Sequence, residues 1–344
     1  MEQVAAAGWR GRDGLVNGKE EILVSVVTPV YNGESYLREC IESVLAQTYR
    51  NWRYVIVNNC STDGSLAIAE HYARCDSRIT VVNATEHVSV QESLNRTMAL
   101  VDPDATYCKP LMADDWLYPE CIEKMVSSAL TDPGIGLVCC YAISNGREVL
   151  FDSIQSTGGV VSYLSGRDAC RAALLGKDVH FFGSPTSMLI RADLIRKRTP
   201  FYNPRTLHVD EESCYEILQE SNFSFNHQVL AFLREHQRSQ TSLNLYLGTI
   251  LVGRITSLAK YGPVYLSAQE FEARRRQRFR EYYGFLAKCR LKRLPREFWR
   301  FHREKLQLLG APLSRPRLAL AICRHLGGRV IFAYSALRGA RFAS

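Results

Sequence analysis

Hydrophobic positions along the chain fall into short β-branched runs separated by longer stretches with a helical period. Strand-like runs occur at 22–28, 53–57, 79–82, 106–111 and 135–142, with helical patterns between them at 35–47, 64–75, 88–101 and 118–130. Leu37, Ile41, Val44 and Leu45 share one face of the first helix. This alternation predicts an α/β fold, a mainly parallel sheet with helices on both faces, because each parallel pair needs a right-handed crossover. Thr131-Asp132-Pro133-Gly134 is a helix stop and turn before the fifth strand.

Further along, 144–165 reads as turn-linked short strands, with Asn145-Gly146 as a hairpin signal and Gly158-Gly159 as a second turn. A helix is predicted at 166–176, a strand near Thr186–Ile190 and a helix over Asp210–Glu220. Two short strands follow, around Phe223–Phe225 and Val229–Leu233. From 243 onward the pattern is helical, and Tyr246, Ile250, Leu251 and Ile255 share a face.

Composition refines this picture. A chain of 344 residues has room for one large α/β domain plus an appendage, or for two domains. Eleven cysteines without C-x-x-C or Cys/His zinc spacing read as reduced thiols, as in a cytosolic protein. Residues 1–20 are small, polar and charged, with no signal-peptide pattern, and are expected to form a disordered lead-in. Charge is unevenly divided: 271–344 holds 19 Lys/Arg against 4 Asp/Glu, whereas 1–270 is net acidic. An acidic body with a basic tail points to an anionic partner surface. Leu318–Leu337 is apolar over most of its length, but Arg324, His325, Arg329 and two glycines argue against a spanning helix.

Three polar blocks close the strand runs. Thr28-Pro29-Val30-Tyr31-Asn32-Gly33 ends the first, Asn58-Asn59-Cys60-Ser61-Thr62-Asp63-Gly64-Ser65 follows the second, and Asp114-Asp115-Trp116 follows the fourth. Ligands of open parallel sheets bind outside the carboxyl ends of the strands, where all three blocks fall. In this order and spacing they resemble the family 2 glycosyltransferases, which carry P-x-Y-N after the first strand, D-D-x-S-x-D-x-[ST] after the second, and a metal-binding diacid. The resemblance is good over 22–145, weaker over 180–242 and absent after 243. It implies a GT-A type, Rossmann-like domain over 21–242, divided into a nucleotide-sugar-binding half at 21–143 and an acceptor half at 144–242. A helical basic region fills 243–344.

The resemblance assigns a divalent metal, Mn²⁺ or Mg²⁺, to Asp115 and the donor ribose or sugar to Asp114. Adjacent carboxylates at a strand end suit a hard cation against a diphosphate; the plainer alternative is a turn or helix cap. Thr28, Pro29 and Tyr31 fall where the nucleotide base approaches, Tyr31 being placed to stack on it. Asn58 and Asn59 stand where the family has aspartates; an amide carbonyl still accepts from a uracil imide, without the charge. Asp63 keeps a later acid of that loop, with a turn or cap role as its rival. Gln91 and Asn95 lie on the helix where the family has donor contacts, and Leu94 replaces the frequent Arg.

Asp210, Glu211 and Glu212 match, in the resemblance, the acid motif that deprotonates the acceptor hydroxyl, each of the three fitting the position. Acids at a helix N-terminus also simply stabilise it. Arg234 and His236, followed by Ser239-Gln240-Thr241, resemble the R-x-H…S segment that folds over the donor diphosphate. Gly183-Ser184-Pro185-Thr186 matches a segment that shapes the acceptor pocket.

The function implied is inverting transfer from a nucleotide-sugar, UDP-linked, to a glycan or lipid-linked acceptor hydroxyl. The setting would be cytoplasmic, peripheral on the inner face of a membrane through 271–344. A sugar nucleotidyltransferase is disfavoured because Thr28–Gly33 lacks the glycine-rich basic loop, and a dehydrogenase because G-x-G-x-x-G is missing. A non-catalytic scaffold finds support only in Asn58 and Asn59. The charge also suits nucleic acid, but no nucleic-acid motif accompanies it.

Overall fold

The structure is a computed structural model that describes residues 22–144, 162–176, 182–206, 208–236, 248–292 and 294–326, with the backbone of short strands at 15–16, 19–20, 147–149 and 161. Strands β1 (Leu15–Val16) and β2 (Lys19–Glu20) pair as a small hairpin inside the expected lead-in. The main sheet begins with β3 (Val24–Val30), then α1 (Leu37–Leu45), β4 (Trp52–Asn58), α2 (Ser65–Cys75), β5 (Ile79–Asn83), α3 (Val90–Met98) and β6 (Tyr107–Pro110). Next come β7 (Trp116–Leu117), α4 (Cys121–Ala129), β8 (Ile135–Ser144), β9 (Arg147–Val149), β10 (Val161–Leu164), α5 (Gly166–Leu175), a 3-10 turn at Pro185–Ser187, β11 (Met188–Arg191), α6 (Ala192–Arg196), α7 (Val209–Ile217) and β12 (Asn222–Leu233).

The strand order is β10-β12-β8-β11-β6-β3-β4-β5. The set β6-β3-β4-β5 is parallel throughout, and β11 joins it antiparallel to both β6 and β8. Alternation along each strand divides the core between two faces, as a pleated strand requires. Val24, Val26, Tyr54, Val138 and Cys140 meet α1, α2 and α4 on one side, while Val27, Leu137, Cys139, Phe223 and Phe225 meet α3, α5, α6 and α7 on the other.

Register shapes the edge where the polar blocks lie. Val30 pairs with Asn58 and Asn58 with Asn83, so β3, β4 and β5 end in one row. Pro110 pairs with Val27, so β6 stops three residues short of that row. The chain proceeds from β3 outward to β5 and returns on the other side of β3 as β6. The notch left by β6 therefore sits at the topological switch point, where open α/β sheets bind ligands.

Several local expectations shift. The two strands expected over 223–233 are one continuous β12 with register irregularities, because buried Asn226 donates to Ser128 Oγ (3.1 Å) and stays in the ladder. Thr186 belongs to the 3-10 turn rather than to β11, α6 is a helix the pattern does not announce, and α7 stops at Ile217. Ser144 pairs with Arg147, as the Asn145-Gly146 signal requires; that turn and Gly158-Gly159 lie outside the described residues. All eleven cysteines are unpaired.

Three long helices follow: α8 (Thr249–Tyr265), α9 (Ala268–Leu291) and α10 (Arg296–Leu308), then a shorter α11 at 315–326. Helix α9 starts in a capping box in which Ser267 and Glu270 satisfy each other's backbone. Leu258, Tyr261 and Tyr265 of α8 complete the core that holds α5 and α7. Val252 and Ile255 of the same helix open a third core with Tyr282, Leu286, Phe298 and Leu306. Packing thus crosses the domain line expected at 242. Among the described residues no helix is long and apolar enough to cross a membrane; most of 318–337 lies beyond them.

Candidate functional site

The first two polar blocks are laced together. Asn32, at φ +51°, accepts from Thr62 N–H at 2.8 Å and gives its own N–H to Ser61 Oγ at 3.0 Å. Gly33 N–H donates to Ser65 Oγ (2.8 Å), Glu34 N–H to Asp63 Oδ2 (3.0 Å), and Gly64 N–H to Glu34 Oε2 (3.0 Å). Burial raises the Asp63 pKa, but hydrogen bonds from Ser65 and the Glu34 backbone outweigh it and the net shift is downward. Asp63 is therefore a turn residue holding the rim rigid. At Gly33 a Cβ would come within 2.9 Å of Val30, so the loop needs glycine to pass so close to its own strand.

The asparagines are also engaged by the protein. Asn58 donates to Asn83 Oδ1 (2.7 Å), tying β4 to β5. Asn59 donates to Val88 O (2.9 Å) and accepts from Val88 N–H (3.0 Å), fixing the loop before α3. Thr28 is wholly buried, its hydroxyl against Tyr54 OH at 2.8 Å, so the fold does not bring it to the cleft. Pro29 lies within β3 beside it. Tyr31 is 50 % exposed and its ring lies 4.3 Å from that of His87, whose Nδ1 is 3.2 Å from Asn59 O. These two rings form an open platform at the rim, and His87 carries no sequence signal of its own.

Asp114 and Asp115 occupy the notch beyond β6, on opposite terms. Asp115 is 7 % exposed; its Oδ2 accepts from Thr186 Oγ1 at 2.5 Å and its Oδ1 from Arg234 N–H at 2.8 Å. Burial, then the Asp114 charge, push its pKa up, the hydrogen bonds and Lys109 pull it back, and the balance lies at about 7. Asp114 is more open, with Oδ2 3.1 Å from His236 Nε2 and its backbone O accepting from Arg234 Nε at 2.9 Å. Arg234 spans the notch, paired with Glu39 and lying 4.8 Å from the centroid of the Tyr36 ring, whose own neighbour at 5.3 Å is His236. The sequence reading gives the cation to Asp115, but that carboxylate is turned inward and anchored. Asp114 is the acid that faces the imidazole.

Thr186 reaches Asp115 because Lys109, wholly buried in β6, holds the 3-10 turn from behind. Its ammonium donates to the carbonyls of Thr186 and of Met188 (3.0 Å). Thr186 Oγ1 in turn accepts from Met112 N–H at 3.1 Å. Neither role is visible locally, since Thr186 lies 71 residues from the acid it supports.

The α7 acids separate by partner. Glu212 accepts from Lys260 (2.6 Å) and from Asn203 (3.2 Å), which binds it to α8. Burial raises the Glu211 pKa against the charges of His208, Arg254 and Arg278. Asp210 Oδ1 accepts only the N–H of Glu211 (2.9 Å) among the described residues. Asn95 is committed to the chain before α7, donating to Tyr202 O (2.9 Å) and accepting its N–H (2.7 Å). Gln91 is half-buried on α3. Ser239, Gln240 and Thr241 lie outside the described residues.

A family profile described as glycosyl transferase family 2 matches residues 25–198, half of the chain. The chain belongs to glycosyl transferase family 2. This family 2 protein is 29 % identical over 184 residues to an uncharacterized glycosyltransferase of Haemophilus influenzae, covering 53 % of this chain and 55 % of that one. It is 32 % identical over 126 residues to glycosyltransferase GlyA of Streptococcus pneumoniae, covering 36 % of this chain and 18 % of GlyA. It is 36 % identical over 104 residues to putative teichuronic acid biosynthesis glycosyltransferase TuaG of Bacillus subtilis, covering 30 % and 40 %. The matches thus span from about a fifth to just over half of these relatives' own lengths.

Solved structures carry the same fold. TarS 1–349 of S. aureus in complex with UDP-GlcNAc superposes with a TM-score of 0.58 at 14 % identity, over 77 % of this chain and 73 % of that one. Mannosyltransferase PcManGT from Pyrobaculum calidifontis, in complex with GDP-Man and Mn2+, superposes at 0.53 and 15 %, over 92 % and 82 %. The fold is the GT-A type α/β sheet that the polar blocks imply.

Proposed function

We propose that this chain transfers a sugar from a UDP-linked donor to a hydroxyl of a glycan or lipid-linked acceptor, with inversion at the anomeric carbon. The observation that carries the reading is the convergence of the Asp114 carboxylate, the His236 imidazole and the Arg234 guanidinium in the notch at the switch point. Tyr31 and His87 offer ring faces for the base at the adjoining rim.

Asp114 and His236 fit a divalent cation, Mn²⁺ or Mg²⁺. Their donor atoms stand 3.1 Å apart, close to the roughly 3 Å edge expected between neighbouring ligands at about 2.1 Å from such an ion. Asp114 and His236 would hold the cation, which supplies charge neutralisation to a leaving diphosphate. Among the described residues no group of three or more His, Cys, Asp or Glu side chains converges, so the donor phosphates and water would complete the shell. Asp115 positions its neighbour, with Thr186 and the Arg234 backbone fixing the turn. Arg234 orients the diphosphate and shares its charge.

Asp210 takes the base role, because Glu212 is bound to Lys260 while Asp210 Oδ1 accepts, among the described residues, only the Glu211 N–H. A neutral sugar hydroxyl is a weak nucleophile, and removing its proton as the oxygen attacks makes a single displacement feasible. The reading is tested by nucleoside diphosphate release across UDP- and GDP-sugars, with and without Mn²⁺. Metal-stimulated release from one donor class, lost in Asp114→Asn, is the expected result. Tight nucleotide binding with no release from any donor would support a scaffold instead.

A further inference from the structure

We infer that the groove between α9 and α11 binds the phosphate headgroups of an anionic membrane surface. This inference is independent of the transfer chemistry, since none of its residues touches the notch. The groove encloses about 490 Å³. Arg275, Arg276, Arg280 and Lys288 line it from α9, and Arg317 and Arg324 face them from α11. No acidic side chain lines it among the described residues; outside it, Glu272 pairs with Arg275 at 3.1 Å.

Helix α9 sorts its arginines by face. Arg274 and Arg278 are buried and donate to the carbonyls of Leu174 and Gly176, docking the helix on α5. The arginines one or two positions away, Arg275, Arg276 and Arg280, line the groove instead. Six like charges brought together by two helices repel one another, and a polyanion is the partner that relieves this.

The floor of the groove is apolar. Phe279 packs into the third core, and a Cβ added at Gly284 would meet nothing within 4 Å, so the groove reaches the helix backbone. Leu320 of α11, which lines it, is 51 % exposed. Basic side chains over an apolar floor with a leucine at the lip match an interfacial surface that takes phosphate and the first part of an acyl chain. A nucleic-acid strand would need exposed ring faces for stacking, and Phe279 is turned into the protein.

The test is co-sedimentation of the full chain with vesicles of phosphatidylcholine alone or with one-third phosphatidylglycerol, at low and high salt. Binding to the anionic vesicles only, released by salt, is expected. The double variant Arg280→Glu/Arg324→Glu should weaken it more than a hundredfold, at roughly fivefold per charge removed. Gly284→Phe keeps every charge and fills the groove, and should weaken binding about tenfold. Melting curves and donor turnover, unchanged in both variants, establish that they fold. Should charge reversal unfold the chain, Arg280→Gln/Arg324→Gln replaces it. Equal binding to neutral vesicles, or wild-type binding by Gly284→Phe, overturns the inference. So does binding of inorganic pyrophosphate or a single-stranded oligonucleotide without binding of anionic vesicles.

Discussion

Asp114–Asp115 and Asp210–Glu212 are each built as an anchored acid beside a less engaged one, yet the anchors differ in kind. Asp115 is held by neutral donors, a threonine hydroxyl and a backbone N–H, in nearly complete burial, and its pKa rises to about 7. Glu212 is held by a cation at the surface, and the ammonium of Lys260 is itself raised, its partners Glu212 and Glu216 outweighing desolvation. Neutral donors leave the charge of a buried acid unmatched, whereas a salt link matches it with an opposite one. The first arrangement suits a place where another positive charge comes and goes. The second suits a permanent strut.

Asymmetry between the members of each cluster can be broken by mutation. Asp114→Asn should lower turnover about a thousandfold in steady-state nucleoside diphosphate release, through loss of charge stabilisation at the leaving group. It should also abolish the effect of Mn²⁺ on nucleotide affinity by calorimetry. Asp115→Asn should keep that metal effect, and a loss of it there as great as in Asp114→Asn would return the cation to Asp115. Asp210→Asn should cost about a hundredfold or more in kcat with donor affinity unchanged, the usual scale of a general base. Glu212→Gln should lower thermal stability more than it lowers kcat, and the reverse order would exchange the two roles.

Smaller effects sharpen the contrast between anchors. Thr186→Val removes one neutral donor from a buried carboxylate and should destabilise by about 1–3 kcal/mol in urea unfolding. Lys260→Met, removing a half-exposed ammonium shared by Glu212 and Glu216, should cost only about 1 kcal/mol by the same measurement. Smallest is a pH effect at Glu216. Burial raises its pKa, but the bonds from Lys260 and Tyr261 win, and the folded value lies below the unfolded one. Its contribution is then complete above the unfolded value and is lost as pH falls through the folded one. Lys260→Met should flatten the acid limb of the stability profile below about pH 4.5, the range where a free glutamate titrates.

The parallel strands, their crossover helices and the three polar blocks were legible because each rests on neighbours in sequence. Periodicity locates β3, α1 and β4, and a polar block at a strand end is a local fact. What stayed hidden depends on distant partners. Asn58 and Asn59 read as ligand contacts until β5 and Val88 are seen to take their amides. Asp115 reads as the metal-binding acid, and its partners Thr186 and Arg234 come from the far half of the chain. Lys109 lies in an apolar run as an apparent misfit, and the carbonyls of Thr186 and Met188 explain it. Likewise, the arginines of α9 form one basic cluster in sequence, and the fold assigns two of them to the core.

Helix α8 bears on how the protein is made. The sheet strands β3 to β6 can begin to collapse as they leave the ribosome, for α1 and α2, made among them, already supply part of their core. The opposite layer cannot close at that time. Tyr261 and Tyr265 cap α7 and α5 from more than forty residues downstream, so the nascent acid helix waits half-covered until α8 emerges. Any shortened version of the protein that stops before that helix inherits the same gap for good, and because α9 docks on α5 and shares the third core with α8, a cut has to spare the helices that follow as well.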